Sequence, residues 1–242
     1  MYKNYVFDLY GTLVDINTDE EKRIFWKRIS SKFRLYGVRY SYRRLRKQYI
    51  KLCKELENSL EEKLKCNHVE IPLEDVFKSL FMLKNKNPLE NEVIEMMKYF
   101  RKESTKYIKL YDGVLDVLDE LKKKGKKIYL LSNAQYYFTM PEIEELGIKD
   151  YFDGIVISSS EAYKKPNPKF YDILFTRYNL SKTESVMIGN DSLCDIEGAK
   201  LFGIDTFYIN TNISPEYDKN KNVMSTYKSL NGSVRDYLNI VK

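Results

Sequence analysis

The chain has 242 residues, of which 43% are apolar and 31% charged, and its formal net charge is +6. This is enough for one large α/β domain, or a core with a smaller insertion, and too much apolar content for an unfolded chain. Lysines interleaved with acids, no apolar run of spanning length and three scattered cysteines (Cys53, Cys66, Cys194) argue against nucleic acid, membrane and disulfide roles.

The N-terminus runs straight into a strand pattern without a signal-peptide core, so a cytoplasmic protein is expected. Asn4-Tyr5-Val6-Phe7-Asp8-Leu9 is a short apolar run interrupted by an acid, the profile of a buried strand. From about residue 18 to about 106 the periodicity becomes helical. Phe25, Ile29, Phe33 and Tyr36 share one face, as do Leu45, Tyr49, Leu52, Leu56 and Leu60 on a second helix. Val76, Phe77, Leu80 and Phe81 suggest a third. Asn87-Pro88-Leu89-Glu90 predicts the start of a fourth, with Asn87 as N-cap and Val93, Met96 or Met97, and Phe100 along its face. Helices in series with no strand between them suggest a small bundle.

Strands then return. A helix over about 112–124, closed by three lysines and Gly125, precedes a strand at 128–132, and further strands are predicted at 155–158, 185–189 and 206–209. The polar stretch 210–222 reads as a loop. The expected fold class is therefore α/β: a Rossmann-like parallel sheet interrupted after its first strand by an all-helical unit. The expected boundaries are 1–16 and 107–242 for the core and 17–106 for the helical unit.

Ligands of open parallel sheets bind beyond the carboxyl ends of the strands. Those ends carry Asp8-Leu9-Tyr10-Gly11-Thr12, Ser132-Asn133, Lys164-Lys165-Pro166-Asn167-Pro168, and Gly189-Asn190-Asp191-Ser192 with Asp195 one turn further. Asp8 suits a carboxylate nucleophile. Gly11 permits a tight turn that brings backbone N–H groups close to an anion. Thr12 and Ser132 offer hydroxyls, Lys165 a cation, and Asp191 and Asp195 hard oxygens for Mg²⁺. The metal has an electrostatic reason: at about 4 Å and an effective dielectric near 20, like unit charges repel by roughly 4 kcal/mol. An aspartate would not approach a phosphate dianion without compensation. The sole histidine, His68, has neighbours that suggest no triad and reads as a loop residue.

These four stretches, in this order, resemble the motifs of the haloacid dehalogenase (HAD) superfamily, and the helical insertion resembles its C1 cap. The resemblance spans essentially the whole chain. It implies a hydrolase with Asp8, Thr12, Ser132 and Lys165 as catalytic residues. It also implies a phosphate site at Gly11, Thr12, Ser132, Asn133 and Lys165, and Mg²⁺ at Asp8, the Tyr10 carbonyl, Asp191 and Asp195. The implied substrate is a phosphorylated small molecule.

One position departs from the phosphatase pattern. Superfamily phosphatases usually carry a second aspartate, the general acid, two residues after the nucleophile, and here that residue is Tyr10. Asp-x-Tyr-Gly-Thr resembles the 2-haloacid dehalogenases, whose halide leaves without a proton and which use no metal. Tyr171 also matches a tyrosine of their sites, although core packing explains it as well. Against that reading stand Asp191 and Asp195, which those enzymes replace, and the lack of a clear cap arginine among Arg39, Arg43, Arg44 and Arg46. A metal-free dehalogenase is the alternative, and a low-turnover binding or regulatory protein a second. Trp26, Tyr36, Arg39, Tyr40, Arg43 and Arg44 are candidate cap readers of substrate. Lys165→Ala is expected to remove activity with thermal stability nearly intact.

Overall fold

In the computed structural model, which describes residues 2–219, 222–229 and 231–236, the first strand stands at the centre of the sheet. β1 (Asn4–Phe7) is flanked by β4 (Lys127–Ser132) and β6 (Ser185–Gly189). Beyond β4 lies β5 (Gly154–Ile157), and beyond β6 lie β7 (Asp205–Ile209) and the short β8 (Tyr227–Ser229). Every pairing in this sheet is parallel. The strand order therefore reverses around β1, which puts its carboxyl end at the crevice where ligands of such sheets bind.

The strands are apolar on both faces, as a covered parallel sheet requires. Tyr5 and Phe7 pack to one side with Ile128, Leu130, Val186 and Ile188, under α5 (Val114–Lys123) and α6 (Tyr136–Glu145). Val6, Leu131 and Met187 pack to the other, under α7 (Pro168–Arg177) and α8 (Gly198–Phe202). Tyr171 belongs to this second layer: it is fully buried and stacks on Phe202 at 5.6 Å.

The helical insertion comprises α1 (Arg23–Leu35), α2 (Tyr42–Leu64), α3 (Leu73–Met82) and α4 (Glu90–Ser104). Its core is aromatic: Phe25, Trp26, Phe33, Phe77, Phe81 and Phe100 are all buried, and Phe138 of α6 joins them from the sheet side. Burying each such ring contributes about 1.5–3 kcal/mol. The fourth helix begins later than its sequence suggests. Asn87 does not cap it; the Leu89 N–H donates to Glu92 Oε2 at 2.7 Å and the helix opens at Glu90. Glu92, not Glu90, thus closes the first turn.

Two strands escape the sequence pattern. β2 (Val14–Thr18) and β3 (Thr105–Leu110) form an antiparallel ribbon through which the chain leaves the sheet and returns. The expected boundaries at 16/17 and 106/107 fall inside this ribbon. Among the described residues, no helix is long and apolar enough to cross a membrane.

Candidate active site

The sheet delivers Asp8 directly. Its N–H continues the β1–β6 ladder, donating to the Ile188 carbonyl at 2.9 Å, and the chain then turns sharply as Leu13 and Val14 donate back to the Leu9 carbonyl. Gly11 makes this turn possible: its φ is +89°, and a Cβ there would lie 2.2 Å from Asn190 Nδ2. The close approach brings Thr12 Oγ1 to 3.3 Å from both Asp8 Oδ2 and Asn190 Oδ1.

Lys165 reaches the same point from the loop before α7. Only 2% exposed, its ammonium donates to Asp8 Oδ1 and to the Leu131 carbonyl, each at 2.7 Å, and lies 2.7 Å from Asp195 Oδ1 in an ion pair. Burial works against its charge, but Asp195 and Asp8 outweigh it and hold the ammonium protonated above its ordinary range. Asn133 fixes the lysine's backbone from both sides: its Oδ1 accepts from the Lys165 N–H at 2.7 Å, and its Nδ2 donates to the Lys165 carbonyl at 3.0 Å. The expected phosphate ligand Asn133 is thus engaged in holding Lys165. Ser132 Oγ is buried with no hydrogen-bond partner among the described residues, which leaves a donor at the strand end for a ligand.

After β6 the chain enters a π-helical turn, Ser192–Glu197, that runs into α8. Asp191 Oδ1 accepts from the N–H groups of Leu193 and Cys194 at 2.9 and 2.8 Å, capping this turn. Asp195 Oδ2 accepts from the Asp191 N–H at 3.0 Å, while its Oδ1 faces Lys165. Burial raises the Asp195 carboxyl above the usual carboxylate range, with Lys165 pulling the other way. Asp218, which sequence reading did not single out, braces the turn by accepting from the Ser192 N–H at 2.8 Å.

These groups line a cavity of about 190 Å³, bounded by Asp8, Tyr10, Asn133, Lys165, Asn190, Asp191, Cys194 and Asp195, with Ile213 and Pro215 from the loop after β7. Three carboxylates (Asp8, Asp191, Asp195) stand against one ammonium (Lys165), a formal balance of −2. The donors are hard oxygens. No three His, Cys, Asp or Glu groups among the described residues form a ready-made cage. Mg²⁺ does not need one, since it commonly takes one or two carboxylates and completes its shell with water and phosphate. Donor type and excess charge fit that ion.

The Tyr10 hydroxyl donates to Glu142 Oε2 of α6 at 2.5 Å and lies 3.1 Å from Thr139 Oγ1. Glu142 in turn takes two hydrogen bonds from Arg101 of α4, at 2.6 and 3.2 Å, and the guanidinium lies over the Tyr10 ring at 5.4 Å. Burial and Glu142 push the Tyr10 hydroxyl far above its ordinary range. Neither Arg101 nor Glu142 stood out in the sequence. Three of the six candidate cap readers are engaged within the bundle: Trp26 and Tyr40 are buried and donate to the carbonyls of Glu20 and Leu80, and Tyr36 bonds Glu95.

Residues 41–209 match the haloacid dehalogenase-like hydrolase family, and the chain belongs to it. It is a HAD-like hydrolase. Its relatives include a glyceraldehyde 3-phosphate phosphatase of Pyrococcus abyssi, 29% identical over 42% of this chain and 43% of that protein. An (S)-2-haloacid dehalogenase of Pseudomonas sp. strain YL is 24% identical over 86% of this chain and 82% of its own length. The match thus spans less than half the length of the first of these. Among solved structures, magnesium-bound YfnB of Bacillus subtilis shares the fold at a TM-score of 0.57 and 19% identity, over 99% of this chain and 98% of that one.

Proposed function

We propose that this hydrolase is a phosphohydrolase that acts on a phosphorylated small molecule through a covalent aspartyl-phosphate on Asp8. The observation that carries the reading is the charge of the cavity: three carboxylates face one ammonium. An anionic substrate would be repelled from such a site, whereas Mg²⁺ held by Asp8, the Tyr10 carbonyl and Asp191 would cancel the excess negative charge. The metal supplies charge neutralisation for a phosphoryl group. Asp195 then serves first to hold Lys165, since its Oδ1 is ion-paired with the ammonium and its Oδ2 accepts from the Asp191 N–H. The phosphatase name of the Pyrococcus relative and the magnesium of the Bacillus structure support the same reading.

In the proposed reaction, Asp8 Oδ2 attacks phosphorus and a P–O bond forms as the bond to the leaving oxygen breaks. Lys165 and the Ser132 hydroxyl stabilise the charge on the transferring group. Water then attacks the acyl phosphate, releases inorganic phosphate and restores Asp8. The dehalogenase reading keeps one specific support, Tyr10, whose hydroxyl donates to Glu142 and so serves no leaving group in this arrangement.

The test is phosphate release from p-nitrophenyl phosphate and acetyl phosphate with Mg²⁺ or EDTA, beside chloride release from 2-chloropropionate. Mg²⁺-dependent phosphate release that falls on the order of 10⁵-fold or more in Asp8→Asn is expected, the scale of losing a nucleophile. Mg²⁺ at ten times its Kd should also raise Tm by about 3–6 °C. Chloride release insensitive to EDTA, with no phosphatase activity, would establish the dehalogenase instead.

A further inference from the structure

Besides the ribbon and the packing of α4 on α6, the helical insertion touches the sheet domain at one further place. Residues 67–73, between α2 and α3, lie along residues 162–167, the loop that carries Lys165. Val69 pairs with Tyr163 in an antiparallel bridge. The Glu70 N–H donates to the Ala162 carbonyl at 3.1 Å, and the Lys164 N–H donates to the His68 carbonyl at 3.0 Å. Asn167 Nδ2 donates to the Asn67 carbonyl at 2.9 Å, and Lys164 Nζ to Glu57 Oε1 of α2 at 3.1 Å.

The same segment also grips the loop after β4. Gln135 Oε1 accepts from the Leu73 N–H at 2.9 Å, while its Nε2 donates to the Ile71 carbonyl at 3.0 Å and to Glu70 Oε1 at 3.2 Å. Glu70 Oε2 accepts from Ser158 Oγ at 3.1 Å. One side chain two residues beyond Asn133 therefore holds three groups of the helical unit. Asn133 itself holds Lys165 by both N–H and carbonyl.

Backbone conformation singles out this junction as well. His68 and Ala162, whose carbonyls accept the two cross-strand bonds, both have left-handed φ values of +59° and +63°. For alanine that conformation costs on the order of 1 kcal/mol, and such strain persists where the surroundings over-determine it.

We propose that residues 67–73 form a clasp that joins the loop after β4 to the Lys165 loop, so that alignment of Lys165 on Asp8 depends on docking of the helical unit. Gln135 and Glu70 are its positioning residues. The proposal rests on the reading of Lys165 as the cation of the Asp8 site. Asp8 and Lys165 come from loops 157 residues apart in sequence, and the clasp adds a third body that touches the lysine's loop and, through Gln135, the loop that carries its brace Asn133. Docking of the helical unit would then couple closure over substrate to assembly of the site.

Amide hydrogen exchange on full-length Gln135→Ala tests this without reliance on turnover. Leu73 loses its acceptor directly, so its faster exchange decides nothing. The informative amides are Glu70 and Lys164, bonded across the clasp, and Lys165, bonded to Asn133. All three should exchange about 10-fold faster or more if the clasp opens as a unit, with the amides of β1 and β4 unchanged as proof of fold. On a phosphate ester that the wild-type protein turns over, kcat should fall about 10-fold with little change in KM. Acceleration confined to Leu73, or a Lys165 amide that keeps its wild-type rate, would overturn the proposal. Absence of turnover in the wild-type protein would sink the phosphohydrolase reading and leave the exchange rates to decide the clasp.

Discussion

Two charged networks flank the turn after β1, and they are built to opposite ends. On one side Asp8 and Asp195 flank the buried ammonium of Lys165, and Asp191 lines the same cavity. On the other, Tyr10 meets Glu142 and Arg101, one carboxylate against one guanidinium, with the neutral hydroxyl as a further donor. The second network is balanced and needs nothing more. The first has surplus negative charge lining a cavity and, at the same strand end, the buried Ser132 hydroxyl without a hydrogen-bond partner among the described residues. Buried charge is stable only when paired, so an unbalanced cluster is where a ligand completes the structure.

Removing a cation from each network measures that difference. Lys165→Ala carries the larger effect, a loss of about 10²–10³ in kcat, the scale of deleting one preorganised donor to a transition state. It also bears on stability, contrary to what sequence alone suggests. The side chain is fully buried, and its loss leaves Asp8 and Asp195 facing each other with no cation between them. Breaking a buried pair in this way costs about 3–5 kcal/mol, which thermal melting in the absence of Mg²⁺ should register. A variant that melts like the wild-type protein would show that this network tolerates the loss.

Arg101→Ala should do the reverse. It leaves Glu142, 11% exposed, with Tyr10 as its remaining side-chain partner among the described residues and breaks two hydrogen bonds between α4 and α6. A stability loss of about 2–3 kcal/mol is expected, below the fully buried case because Arg101 is 18% exposed and partly solvated. Turnover of an aryl phosphate should change little, since neither group faces Asp8 through a hydrogen bond. If Arg101→Ala abolished turnover and spared Tm, the two networks would have to exchange roles.

The contrast also explains what could be read beforehand. Asp8 and Asp191 stand out because each sits just past an apolar run, where a charged residue has few structural reasons to exist, and Lys165 and Asp195 stand out by their order and spacing relative to them. Arg101 and Glu142 lie on helices, where charged residues are the ordinary surface, and their pairing across 41 residues leaves no local mark. Gln135, in the loop before α6, is hidden because its partners lie 62–65 residues away in sequence. The ribbon was missed because β2 spans five residues and β3 follows α4 without a Gly or Pro between them, so neither interrupts the helical pattern clearly. Motif position indicates proximity to the ligand but not that Asn133 is hydrogen-bonded to the Lys165 backbone or that Asp195 is ion-paired with its ammonium, contacts that only the structure displays.

The smallest expected effect probes the border between the networks. Tyr10 sits in the cavity wall, yet its hydroxyl donates to Glu142 and is held far above its ordinary range by burial. A proton bound that tightly is a poor one to offer an alkoxide, so esters with good leaving groups should be favoured. Tyr10→Asp replaces the ring with a short carboxyl that no longer reaches Glu142 as the tyrosine does, and places an acid within the turn that carries Asp8. General acid catalysis is worth about 10²–10⁴-fold when its geometry is tuned. An untuned aspartate should recover only part of that, about 10-fold in kcat on an alkyl phosphate, with p-nitrophenyl phosphate nearly unchanged because its leaving group departs without a proton. Equal gains on both substrates would point to relief of crowding by the smaller side chain. No gain on the alkyl phosphate would mean that Tyr10 is not what limits the chemistry, and that the proton comes from another group facing the cavity.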